Sequence, residues 1–311
     1  MKKCVFIHTN ERQLLGALVS EYSLRRNSRQ PDQFDIRILH TRDFPYLYEQ
    51  EGKSFLRGGT QRVWRMDDLQ SFTPLRFQPP QQMQWQGRAV LMDPDIFAVG
   101  DINELLNRDM RGAAVMGRHR SDKPGKAQRV ATSVMLLDCS RLQHWKPEAE
   151  FQQLFSAERD YKQWMVLAHE DPALIGWLEP CWNDFDHLDE HTRLLHNTKR
   201  RTQPWKTGLR VDFTPADKFR KRPLLASVNR LRARVFGEYG LLGRYAQHPD
   251  LRQQHLFFGL LRECLESGHV SEALVREEIE RQHVRADALE VVDRTPELAH
   301  RDLNTEPSSI S

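Results

Sequence analysis

Apolar and polar positions follow two rhythms along the first half of the chain. Cys4–His8 is a short apolar run that predicts one buried β-strand, and Glu11–Arg26 brings leucines back at helical spacing (Leu14, Leu15, Leu18, Leu24). Phe34–His40 predicts a second strand. The β-α-β order implies a mostly parallel, Rossmann-like sheet flanked by helices. Thr41–Gln86 is polar and aromatic, with Gly58-Gly59 and Pro79-Pro80 as breakers, and is expected to hold loops and short helices. Strands are expected again at Ala89–Met92, Ala113–Gly117 and Val130–Asp138. A further apolar run, Ile96–Val99, leads through Gly100 into a helix beginning near Asp101. Helical segments are expected around Glu148–Phe155 and Tyr161–His169. Trp177–Asp186 reads as turn, and Leu194-Leu195-His196 as a last short strand.

Composition narrows the class. The 311 residues allow one large α/β domain or two smaller ones. A hydrophobic share of 39% beside 29% charged residues is ordinary for a soluble protein. No run approaches the roughly 18 apolar residues that a membrane span needs. The basic start, Met1-Lys2-Lys3, gives way to polar residues too early for a signal peptide. The 4 cysteines (Cys4, Cys139, Cys181, Cys264) stand far apart without a C-x-x-C pair. That speaks against a zinc knuckle or disulfide framework and for a cytoplasmic location.

The densest chemical signal is Asp93-Pro94-Asp95, at the point where the Ala89–Met92 strand runs out. Carboxylates at i and i+2 there either converge on one hard divalent cation, able to hold a diphosphate, or cap the next segment in a plain Asx turn. Two ligands rarely fix a cation. Among the 13 histidines, His196 stands out because it ends an apolar pair and precedes Lys199-Arg200-Arg201 and Pro204-Trp205. An imidazole there suits a metal shell and the cations suit phosphate oxygens, against the alternative of a solvated basic loop.

From Lys199 to Arg234 there are 12 lysines and arginines against 2 acidic residues, net +10, in a chain of net charge +3. Such a collar suits peripheral contact with a membrane or an acidic glycan. With few aromatics and no RNA-binding motif it does not suit nucleic acid. Beyond it, Gln253–Ser267 and Glu272–Gln282 are expected to be amphipathic helices, and Thr305–Ser311 a disordered tail. The boundary between a catalytic domain (1–210) and a mainly helical extension (211–311) is placed at this change of composition.

Three separated segments resemble the glycogenin-like glycosyltransferases of family 8, which have the nucleotide-sugar-binding GT-A fold. Phe6-Ile7-His8-Thr9-Asn10-Glu11 with Gly16-Ala17-Leu18-Val19 is similar to the first strand and helix that hold the uridine. Arg88–Asp95 with Gly100–Leu105 is similar to the Asp-x-Asp strand and following helix. His196 to Pro204-Trp205 is similar to the closing His-x-x-Gly-x-x-Lys-Pro-Trp segment. The resemblance covers about residues 4–206. It implies a manganese (or magnesium) ion held by Asp93, Asp95 and His196 and bridging the phosphates of a UDP-sugar. It also implies retention of configuration and transfer of a hexose to an unknown acceptor. Ile7, His8, Thr9 and Asn10 are then expected at the base and ribose, Met92 and Pro94 around the carboxylates, Arg76 reaching the donor as a catalytic cation, and Ser133 near the sugar. Glu170-Asp171 is placed near an acidic sugar or acceptor contact.

The chain departs from that pattern. Lys199 stands at the glycine of the closing segment, which is one residue longer, and Thr202 or Gln203 falls where a phosphate-binding lysine belongs. This leaves Lys199, Arg200 or Arg201 as substitutes. Ala131-Thr132-Ser133 replaces Asn-Ser-Gly. The competing readings are a catalytically impaired nucleotide-sugar-binding protein and a nucleotidyltransferase. A Gly-rich phosphate loop with a basic residue near the N-terminus would favour the latter, and none is present, since Gly16 is the first glycine.

Overall fold

The computed structural model describes residues 1–120, 129–211 and 243–299. They divide into two compact units, one ending at His196 and one running from Asn197 to Ala299. Most of the basic stretch expected to form a collar, and the expected tail, lie outside the described residues. Among the described residues no helix is long and apolar enough to cross a membrane.

The first unit is α/β. Its central sheet has six strands: β1 (Lys3–Thr9), β2 (Asp35–His40), β5 (Arg88–Met92), β7 (Val115–His119), β8 (Val130–Asp138) and β9 (Ile175–Leu178). Their order is β2-β1-β5-β8-β7-β9, and β8 alone runs against its neighbours. Successive residues of a strand point to opposite faces, and both faces here are covered. Val5, Ile7, Val90, Met92, Val134 and Leu136 face an aliphatic layer with Ala17, Leu24, Ile102 and Leu105. Cys4, Phe6, Ala89, Leu91, Met135 and Leu137 face an aromatic layer with Phe77, Trp145, Phe151 and Trp164. Each of the larger aliphatic and phenylalanine side chains contributes about 1.5–3 kcal/mol by leaving water, so the central strands give a site firm support.

Two segments differ from the sequence expectation. β3 (Ser54–Arg57) and β4 (Thr60–Val63) form a hairpin around Gly58-Gly59. Both glycines have positive φ (62° and 71°), as a two-residue turn matched to strand twist requires. Trp177 lies in β9, at the sheet edge beside β7, instead of in a turn. The expected helix over Glu11–Arg26 opens with a 3-10 turn and continues as Leu14–Arg26. The later helical segments are shorter than expected, Pro147–Gln152 and Tyr161–Trp164.

A small second sheet, ordered β10-β11-β6, sits at the end of the strand run: β6 (Ile96–Ala98), β10 (Asp184–Phe185) and β11 (Leu194–His196). The unit from Asn197 onward is helical in its described part, with helices Leu251–Glu266, Glu272–Glu280 and Ala288–Arg294. Asp250 and Ser271 cap the first two through side-chain oxygens that accept backbone N–H groups. Trp205 packs on Phe257 in that unit, with ring centroids 4.7 Å apart.

Candidate functional site

The Asp-Pro-Asp turn is set from two sides. The Asp93 N–H donates to the Ser133 carbonyl at 2.9 Å, which carries the β5–β8 ladder one residue past the end of β5. On the other side, helix Leu14–Arg26 lies so close that a Cβ on Gly16 would be 2.8 Å from the Pro94 carbonyl oxygen. The same helix turns Ser20, Ser23 and its C-cap residue Asn27 toward β6. Ser20 Oγ donates to the Ile96 carbonyl (2.6 Å), Ser23 Oγ accepts from the Ala98 N–H (2.8 Å), and Asn27 Nδ2 donates to the Ala98 carbonyl (2.9 Å). β6 is thus pinned, and it pairs antiparallel with β11 in a register that puts His196 across from Ile96.

That register delivers the imidazole to the carboxylates. His196 Nε2 is 3.3 Å from Asp95 Oδ1. One ligand atom each from Asp93, Asp95 and His196 lies within 4.8 Å of the others. Three donors around one ion of bond length near 2.2 Å lie at most roughly 4.5 Å apart, so only a slight tightening is needed. Two carboxylate oxygens and one imidazole nitrogen suit manganese or magnesium better than a thiophilic metal. The residues fit the ion that the sequence resemblance implies.

The two carboxylates differ in surroundings. Asp93 is 8% exposed and fully engaged. Arg76, in the 3-10 turn Thr73–Phe77, brings Nη2 to 2.8 and 2.5 Å of its two oxygens, and Nε to 3.1 Å of Oδ1. His8 Nε2 donates to Asp93 Oδ1 at 2.7 Å. A carboxylate only accepts, so the His8 proton sits on Nε2. Burial works to raise the Asp93 pKa, but the Arg76 charge and the His8 hydrogen bond outweigh it and hold the carboxyl well below the usual range. His8 is fully buried; that burial lowers its pKa against the opposing effect of its hydrogen bond to Asp93, and the ring stays neutral. Arg76 Nη1 also donates to Thr132 Oγ1 (3.0 Å), which in turn donates to the Met165 carbonyl (2.7 Å).

Asp93, Asp95, His196, Arg76 and His8 come together; other expected residues take different places. Ile7 and Met92 are core residues of the aliphatic layer. Thr9 is buried with its hydroxyl on the Asn10 carbonyl, and Asn10 Nδ2 donates to the Ser71 hydroxyl at 3.0 Å. Pro94 is the buried centre of the carboxylate turn. The Ser133 hydroxyl accepts from Asn183 Nδ2 at 2.8 Å, and Asn183 Oδ1 lies 2.7 Å from His196 Nδ1. Lys199 and Arg200 belong to the second unit. Glu170 accepts from the Trp145 indole at 2.6 Å and pairs with His144 at 2.7 Å, on the wall of a cavity of about 250 Å³ shared with Phe77, Glu150 and Trp164. Asp171 caps the 3-10 turn Pro172–Leu174. Sequence reasoning missed Thr132, Asn183 and the partnership of His8 with Asp93. A histidine inside an otherwise apolar strand was the one available signal.

No protein-family model and no curated protein sequence matches the chain. Among solved structures it is similar to the glycosyltransferase GlyE of Streptococcus pneumoniae TIGR4, at 15% identity and a TM-score of 0.47 over 66% of this chain and 56% of that one. It is similar to the galactosyltransferase LgtC, solved with donor and acceptor sugar analogues, at 12% identity and a TM-score of 0.46 over 65% and 89%. It is also similar to mouse xyloside xylosyltransferase 1, at 13% identity and a TM-score of 0.44 over 64% and 99%. The chain spans little more than half the length of the pneumococcal protein.

Proposed function

We propose that this chain is a metal-dependent glycosyltransferase of the GT-A type, similar to the glycogenin-like family 8, moving a hexose from a UDP-sugar to an acceptor with retention of configuration. The observation that carries this reading is the convergence of Asp93, Asp95 and His196 from three strand ends onto one point.

In this reading the two carboxylates and the imidazole hold manganese or magnesium, which supplies charge neutralisation for the diphosphate leaving group. The depressed Asp93 pKa keeps that ligand ionised throughout the physiological range. His8 orients Asp93 through its Nε2–H. Arg76 adds a second cation beside the same carboxylate. A cation placed where negative charge grows as the anomeric carbon–oxygen bond breaks stabilises the transition state more than the ground state. The acceptor hydroxyl then attacks the oxocarbenium-like carbon from the leaving-group face and loses its proton to the departing phosphate, so no protein nucleophile is required. Thr9 and Asn10 border the nucleotide.

Binding without turnover is the second reading, and the altered closing segment, with Lys199 at its glycine, favours it. UDP release from UDP-glucose and UDP-galactose, with manganese and with EDTA, separates the two. Metal-dependent release supports the transferase. Manganese-dependent thermal stabilisation by UDP-sugars without any release supports the binding protein. The absence of both overturns the nucleotide-sugar reading.

A further inference from the structure

The imidazole of His196 is held from behind. Asn183, fully buried in the 3-10 turn Pro180–Asn183, faces Nδ1 with its side-chain oxygen at 2.7 Å. Its amide nitrogen donates to Ser133 Oγ at 2.8 Å. The serine hydroxyl and the ring nitrogen thus meet opposite ends of one amide. In that orientation Oδ1 accepts the proton on His196 Nδ1 at 2.7 Å, whereas Nε2 stands at the longer 3.3 Å from Asp95 Oδ1, so the shorter bond draws the proton to Nδ1 and leaves the Nε2 lone pair for a cation. The Phe185 ring packs edge-on to the imidazole, with centroids 5.5 Å apart. Arg118 clamps the segment, donating to the Asn183 carbonyl at 2.6 Å and lying 4.2 Å from the Phe185 ring centroid. Ser133 reaches the other side of the site as well, because its carbonyl accepts the Asp93 N–H.

We propose that Asn183 is a positioning residue that commits His196 to bind the metal through Nε2, and that Ser133 holds the Asn183 side chain in place and ties this imidazole to Asp93. The proposal rests on the metal-dependent reading above. Partners behind a ligating histidine orient the ring and select its tautomer, and their loss costs about 10–100-fold in metal affinity. Ser133, expected from the sequence beside the sugar, acts in this proposal through Asn183.

The test uses the full chain and two readouts, one of them free of metal. Long-range 1H–15N NMR of metal-free protein, with the His196 signals identified from a His196→Gln variant, reads the tautomer. Titration with manganese followed by EPR reads the affinity. Wild type is expected to show the Nδ1–H tautomer and to bind manganese. Asn183→Leu, close in volume but without polar atoms, is expected to show mixed tautomers and about 10–100-fold weaker binding. Asn183→Asp keeps an acceptor for Nδ1–H and is expected to retain both the tautomer and the affinity. Ser133→Ala removes the hydrogen bond that holds the Asn183 side chain and is expected to fall between; it decides the matter if Asn183→Leu does not fold. Unchanged tautomer and affinity in a folded Asn183→Leu, or in Ser133→Ala should it stand alone, overturns the proposal. A wild type that holds the Nδ1–H tautomer only while Asn183 is present, yet binds no manganese, overturns the metal reading and leaves Asn183 positioning the ring.

Discussion

Arg76 and Asp93 form a two-toothed ion pair at the end of β5, with Nη2 at 2.8 and 2.5 Å from the two carboxylate oxygens. Their side chains are only 12% and 11% exposed. Removing one partner of such a pair strands a buried charge, at a cost of about 3–5 kcal/mol. Arg76→Gln is therefore expected to lower stability by that order in metal-free protein. Manganese would supply the missing charge, so it should raise the melting temperature of Arg76→Gln more than that of wild type. Calorimetry with and without manganese checks this, and equal shifts in both proteins would refute it.

The two acidic residues of the turn are expected to separate in their effects. Asp95 lies at the rim with its side chain 16% exposed, whereas Asp93 is locked by Arg76 and His8. Asp95→Asn should abolish manganese binding and leave urea unfolding close to wild type. Asp93→Asn should lose both. From the sequence the pair look equivalent; the structure makes Asp93 part of the scaffold.

Acid should remove stability in two stages. The folded Asp93 carboxyl is held below its ordinary value, burial opposing and the Arg76 charge and His8 bond prevailing. Its contribution is complete above the unfolded carboxyl's pKa of about 3.9 and drains away as the pH falls from there toward the depressed folded value. The neutral, buried His8 acts in the same sense from higher pH. Burial lowers its pKa, so the unfolded chain takes up more protons once the pH drops below about 6.5. Urea unfolding as a function of pH should show the advantage of wild type over His8→Gln shrinking below about pH 6.5, and that over Asp93→Asn shrinking below about pH 4. Advantages that stay constant with pH would refute the assignment.

Gly16→Ala isolates the contact between helix Leu14–Arg26 and the carboxylate turn. An unhindered glycine-to-alanine change inside a helix gains about 0.8–1.0 kcal/mol. Here the added Cβ meets the Pro94 carbonyl oxygen at 2.8 Å, and backbone must move. The substitution is expected to destabilise the protein and weaken manganese binding. A stabilised variant with intact metal affinity would show that the turn is not set by this helix.

Burial, chiefly, pushes the Cys4 and Cys139 thiols up to about 12, and it raises the half-buried Cys181 as well. Cys264 is fully buried. Since the thiolate is the reactive form, native protein near neutral pH should modify slowly and only at Cys181. Labelling with a thiol reagent followed by peptide mapping checks this; modification of Cys4 or Cys139 without unfolding would refute it.

Much of the architecture was legible because it is periodic. The Val130–Asp138 strand and the Leu194–His196 strand stand where the apolar runs predict, and the alternation in β1 and β5 matches the two faces of the sheet. The amphipathic helices of the second unit also appear, as Leu251–Glu266 and Glu272–Glu280. The hairpin at Gly58-Gly59 was missed because its strands are polar and short, so the glycine pair reads as a breaker when it is in fact the turn. Asp93, Asp95 and His196 were legible as a candidate set from residue types and the resemblance. Their support was not. Arg76 meets Asp93 across 17 positions, His8 across 85, and Asn183 meets Ser133 across 50, and hydrogen bonds over such distances leave no periodic trace. Ser20 and Ser23 show the converse: polar residues on a buried helix face, where periodicity alone would ask for leucines.

The antiparallel pairing of β6 with β11 has a consequence for biosynthesis. The acidic turn emerges from the ribosome long before the imidazole that completes it, so a growing chain carries two adjacent carboxylates with no histidine to join them. During that interval the nearby guanidinium, already translated, is the counter-charge on hand. Arrival of the β11 segment then completes the trio, and a chain that slips by one residue there would turn the imidazole away from the two carboxylates.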